Sequence, residues 1–113
     1  MTKIRMNWED MTLTASGHAG AGKYGQDIVC AAVSILLYAL VNTLRDAEER
    51  GRVTLEWSDD PEMGNMRIHV KPRSGEEQKV RAYFKVTMMG LKTMAEYYPG
   101  NVSVGEVTAH GNL

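Results

Sequence analysis

The stretch that most restricts what this chain can fold into is "DIVCAAVSILLYALVNTL", residues 27–44. Val29, Val33, Leu36, Leu40 and Leu44 recur every three or four residues, the spacing of one helical face. Ile28, Ala32, Ile35 and Ala39 make a second apolar stripe. A helix apolar on two sides needs two covers. It is either central, packed between a sheet and another helix, or it keeps one side for a partner subunit. The uninterrupted apolar run, Ile28 to Val41, holds 14 residues including Ser34, short of the 18 or more of a membrane span, so the expected cover is protein.

The rest of the chain supplies that cover. "KIRMNWED" alternates Ile4, Met6 and Trp8, and "MTLTASG" alternates Met11, Leu13 and Ala15 against Thr12, Thr14 and Ser16. A period of two marks half-buried strands, here a hairpin whose second strand leads to His18. After the long helix, with Gly51 as its stop, Val53, Leu55 and Trp57 and then Met66, Ile68 and Val70 repeat the pattern around the turn-rich "SDDPEMGN". Ser74 and Glu77 have capping-box spacing ahead of a second helix built on Val80, Phe84, Met88, Leu91, Ala95 and Tyr98. Pro99 and Gly100 end it, and "VSVGEV" supplies a last strand. The order is ββαββαβ, and 113 residues suffice for one two-layer α+β domain spanning 1–113, two helices on a mainly antiparallel or mixed sheet.

Thirteen basic and fourteen acidic side chains balance to a formal charge of -1, so no broad field draws the chain to nucleic acid. Lys71, Arg73, Lys79, Arg81 and Lys85 read as scattered surface charge, and no direct nucleic-acid requirement is expected. One cysteine forms no internal disulfide, and no leader pattern opens the sequence; the expected location is the cytoplasm.

Chemistry concentrates in "GHAGAGKYGQDIVCAA", Gly17 to Ala32. Gly17, Gly22 and Lys23 begin a phosphate-loop pattern, but Tyr24 stands where a short hydroxyl must reach Mg²⁺, and Asp27 repels phosphate. His18, Cys30, His69 and His110 offer metal donors without any close ligand pair, so no metal is expected, and His69 reads as a solvent-facing strand residue. The third possibility is a thiolate. With Asp27 as N-cap, Cys30 falls near the third helical position, where unpaired amides and the helix dipole favour the ionised sulfur. His18 can pair with that thiolate and protonate a leaving amine. Asp27 either caps the helix or orients the imidazole. Ser34, one turn beyond Cys30, either lines the site or bonds back to a carbonyl. Gly20, Gly22 and Gly25 give the intervening loop the freedom to order around a substrate. Taken alone, Cys30 also fits a small buried core residue.

"GHA" followed by a glycine-containing loop and "GQDIVCAAVS" resembles the ribosomal-processing cysteine protease family, Prp, closely from Gly17 to Ser34. The two-hairpin, two-helix order agrees with that family through most of the chain. The resemblance implies that His18 and Cys30 form a catalytic dyad and that Asp27 and Ser34 support the site. It implies a cysteine endopeptidase that removes the N-terminal extension of a bacterial large-subunit ribosomal protein. It also implies a homodimer with no metal or organic cofactor, and an extended peptide substrate with aromatic residues near the cut. The alternative is a noncatalytic ribosome-assembly or peptide-binding module, which would bind the substrate without making product.

Overall fold

In the computed structural model, which describes residues 1–17, 24–60, 64–108 and 111–112 (backbone alone at 24–27 and 111–112), the two hairpins merge into one sheet. The strands are β1 (Thr2–Asn7), β2 (Thr12–Ser16), β3 (Val53–Asp60), β4 (Asn65–Pro72), β5 (Val102–Thr108) and β6 (Gly111–Asn112). The helices are α1 (Tyr24–Glu49) and α2 (Glu77–Tyr97). Spatial order is β3-β4-β2-β1-β5-β6. Among the described strands only β1 and β5 run parallel, so the sheet is mixed, and the predicted order ββαββαβ holds with the two-residue β6 added.

Register explains how alternation becomes a core. Ile4 lies opposite Ala15 and Val104, Leu13 opposite Ile68, and Leu55 opposite Val70, which puts the predicted apolar sets on one face of the sheet. A one-residue slip of any strand would turn its set outward. Against that face lie Val29, Val33, Leu37, Leu40, Val41 and Leu44 of α1 and Val80, Phe84, Met88 and Leu91 of α2, all buried. Each such side chain removed from water contributes roughly 1.5–3 kcal/mol before conformational entropy is set against it. The helices touch each other closely at Gly90, where a Cβ would stand 2.7 Å from Leu36 Cδ2.

Three local readings are corrected. The second stripe of α1 is not packed inside the fold: Ile28 and Ile35 are exposed, the latter by 66%, as is Ala39. Of the two covers expected, the sheet and α2 supply one. The Ser74–Glu77 capping box does not form, because the N-cap is Glu76, without a side-chain cap, and Glu77 Oε2 accepts from the Gly75 amide, 3.0 Å, instead. Gly75 is at φ +89, so the chain turns sharply there and moves Ser74 out of capping position. Finally, an 18-residue window within Ile28–Glu49 reaches a mean hydropathy of 1.9, a length that fits a membrane span, because the helix runs on past Val41. One of the helix's two apolar stripes is in the core of this fold, and that packing accounts for the apolar character of that side alone.

Candidate functional site

α1 begins at Tyr24, three residues before Asp27. Asp27 is therefore inside the helix rather than its N-cap, and Gly25, expected in the substrate loop, is helical as well. Cys30 becomes the seventh helical residue. Helix-dipole effects fade within the first turn, and an amide this far along is bonded to the carbonyl four residues back. The dipole is thus not what would activate the sulfur. Any help must come from a neighbouring side chain or from amides outside the body of the helix.

The position of Cys30 is informative in another way. It is a free, half-buried thiol packed against the edge of the core. Together with Ser34 and Tyr38 it lines a cleft of about 210 Å³ between α1 and the sheet. Residues 30, 34 and 38 succeed one another at intervals of four along that side of the helix. Val33, Leu37, Ala15 and Met66 form the apolar floor, and Thr2 and Gly17 close the end near β1 and β2. Gly17, covalently bonded to His18, is thus a wall of the cleft that holds the cysteine. Its φ is +84, and a Cβ there would collide with the Met1 carbonyl oxygen, so only glycine lets the chain leave β2 along this path.

Of the residues read as a site, the structure brings Cys30 and Ser34 together in one cleft and holds Asp27 and Gly25 in the backbone of α1. His18, Gly20 and Gly22 lie outside the described residues, as does His110. Ser34 does not make the back-bond to the carbonyl four residues earlier that Thr43 and Thr93 make, at 2.8 Å each, so its hydroxyl is available to the cleft. His69 alternates with the buried Ile68 and Val70, and its Nδ1 is 2.9 Å from Thr12 Oγ1. The sheet separates it from Cys30. Among the described residues no three His, Cys, Asp or Glu side chains gather as metal ligands. The basic residues disperse: Lys79 pairs with Glu76 at 3.8 Å, and the Arg81 guanidinium sits 5.2 Å from the centre of the Trp8 ring.

Tyr38 and Asp59 also line the cleft, and the sequence reading placed neither of them beside Cys30. Asp59 lies opposite Met66 in the β3–β4 ladder and so shares the helix-facing side of the sheet, where the Tyr38 hydroxyl donates to its Oδ2. The register that carries Val53, Leu55 and Trp57 to that face carries Asp59 too. Extending the alternation by one step would have found it.

Comparison with known proteins identifies the family and the fold. Residues 1–103 match the family described as Cysteine protease Prp. The ribosomal processing cysteine protease Prp of Mycoplasma pneumoniae is 33% identical over 101 residues, covering 88% of this chain and 91% of that protein. The fold is similar to the crystal structure of the ribosomal processing protease Prp from Staphylococcus aureus in complex with a covalently linked product peptide, with a TM-score of 0.76, 24% identity, and 94% and 99% of the two chains covered. It is also similar to a crystal structure from Streptococcus mutans, SMU.848, at a TM-score of 0.73 and 29% identity, covering 95% of this chain and 92% of that one.

Proposed function

We propose, for a chain that belongs to the cysteine protease Prp family, an endopeptidase in which Cys30 is the nucleophile and His18 its proton-transfer partner. Its substrate is the N-terminal extension of a bacterial large-subunit ribosomal protein, its setting the cytoplasm, and its active form a homodimer. The observation that carries this reading is the shared cleft: Cys30 lines it from α1, and Gly17, next in sequence to His18, lines it from the end of β2.

The chemistry follows from those two groups. The Cys30 thiolate adds to the scissile carbonyl carbon, forming a C–S bond and an oxyanion that backbone amides stabilise. As the C–N bond breaks, the imidazolium of His18 gives its proton to the departing amine. Neutral His18 then takes a proton from water, which attacks the thioester. The peptide carboxylate leaves, and the thiolate–imidazolium pair is restored. Ser34, with its hydroxyl toward the cleft, is suited to hydrogen-bond the bound peptide. Asp27 keeps its supporting role through His18 or the loop, since capping is no longer available to it.

The exposed outer faces of the helices support the dimer. Ile28 and Ile35 of α1 and Val86 and Met89 of α2 are all more than half exposed, which is apolar surface that a second copy would cover. Peptide binding is supported by the Staphylococcus aureus protein of this fold, whose structures hold a covalently linked product peptide and a substrate peptide.

The test is time-resolved cleavage of an extended ribosomal-protein substrate by the purified chain. Wild type should yield the shortened protein and Cys30→Ser should not. Equal cleavage by both would overturn the reading, and binding without product by wild type would favour the noncatalytic module.

A further inference from the structure

The cleft has a far end that the peptidase chemistry does not use. Cys30 and Tyr38 are eight residues apart on α1, which at 1.5 Å per residue separates them by about 12 Å along the helix. At that far end the Tyr38 hydroxyl donates to Asp59 Oδ2, anchoring a half-buried carboxylate and leaving its other oxygen to accept a further bond. Asp59 is the only charged side chain among the described residues that line the cleft, and it forms no ion pair with any described residue. The contrast with Glu106, whose carboxylate is occupied by Lys92 and Trp8, is direct.

We propose that Asp59, oriented by Tyr38, is a specificity subsite for a basic side chain of the peptide substrate. An extended peptide advances about 3.3 Å per residue, so a distance of about 12 Å corresponds to three or four residues from the cut bond. The subsite therefore selects a lysine or arginine at that separation, on whichever side of the cut runs along α1 toward Tyr38. A lysine or arginine brings the positive charge and the N–H donors that an anchored carboxylate lacks in this cleft. The inference rests on the endopeptidase reading for its peptide ligand, but binding and cleavage test the two separately.

The experiment uses labelled peptides copying the ribosomal extension, with a single lysine or its uncharged isostere norleucine scanned from five residues before the cut to five after. Binding is measured on the Cys30→Ala chain, which cannot turn over, with and without Asp59→Asn. At one position three or four residues from the cut, lysine should bind about fivefold more tightly than norleucine, an advantage that shrinks as salt is raised. Asp59→Asn should bring that ratio close to one, Asp59→Glu should retain part of it, and Asp59→Lys should prefer glutamate at the same position. Tyr38→Phe should weaken the preference without reversing it. A lysine-to-norleucine ratio unchanged by Asp59→Asn at every position overturns the subsite, whatever the cleavage results. A preference that is present, yet without product from the Cys30-intact chain, keeps the subsite and rejects the peptidase.

Discussion

The two ends of the sheet treat their polar groups in opposite ways. At the α2 and β5 end, Trp8 Nε1 donates to Glu106 Oε1 at 3.0 Å, Lys92 Nζ lies 2.5 Å from Glu106 Oε2, and the Arg81 guanidinium covers the Trp8 ring. Trp8 also meets Phe84 edge-on, with ring centroids 6.5 Å apart. Each group answers another, and the result is a clamp holding α2 to β1 and β5. At the α1 and β3–β4 end, Cys30, Ser34 and Asp59 line a cleft with only the Tyr38–Asp59 bond among them. A larger groove, about 510 Å³, exists at the clamped end. Size alone would point there, but the only carboxylate among its described lining residues, Glu106, is taken by Lys92 and Trp8, and Arg81 is engaged by Trp8. The smaller cleft keeps its reactive and polar groups for something else, which is what distinguishes a site from a joint.

That contrast can be broken most forcefully at Trp8. Trp8→Ala removes the indole donor, the ring contact and the cation–π partner together, and should cost about 3 kcal/mol. For a chain of this size the melting temperature should fall by roughly 10 °C or more. Peptide cleavage measured well below that temperature should stay within about twofold of wild type. A large loss of cleavage from a folded Trp8→Ala protein would erase the division between the two ends.

Gly17 probes the other end. Gly17→Ala forces a side chain into a left-handed conformation, at about 1–2 kcal/mol, and against the Met1 carbonyl. The chain leaving β2 must shift, and His18 with it. Cleavage should drop at least tenfold, while the melting temperature falls by less than in Trp8→Ala. Unchanged turnover would mean that the path out of β2 does not position the histidine.

The smallest expected effect is the pH dependence of the clamp. Burial tends to raise the Glu106 carboxyl, but the Lys92 ammonium and the Trp8 N–H outweigh it and hold the group below the ordinary value of 4.5. A carboxyl with a lowered folded value adds stability above its unfolded value and loses it as pH falls through the folded one. Glu106→Gln should therefore cost about 1 kcal/mol at pH 7, with the gap to wild type closing below pH 4.5. Thermal melts across pH 3–7 read this directly, and a gap independent of pH would refute the charge pairing.

Much of the fold was legible because alternation and helical spacing are strong signals when one face is buried. Met11, Leu13 and Ala15 and Met66, Ile68 and Val70 all reached the core face. The start of α1 was not legible. Tyr24 to Gln26 carries no apolar period and includes Gly25, so Asp27 offered the nearest capping side chain, although the helix was already under way. The second stripe of α1 was visible as a pattern, but a single chain's spacing cannot distinguish surface covered within the fold from surface left for another copy. β6 is too short to have a pattern, and Tyr38 and Asp59 meet only through tertiary register. Cys30 and Ser34 line one cleft, as their four-residue spacing on a helix suggests, while the dipole argument attached to Cys30 depended on a helix start four residues too late.

The activation of Cys30 by His18 is therefore the point to test most directly. A peptide bearing a thiol-directed electrophile, with its sequence copied from the ribosomal extension, can be incubated with wild type, Cys30→Ser and His18→Ala, and the intact masses followed over time. The account predicts one adduct on wild type, mapped to Cys30, none on Cys30→Ser, and a rate lowered at least tenfold in His18→Ala at neutral pH. An adduct forming on His18→Ala as fast as on wild type, or no adduct on wild type at all, would contradict it.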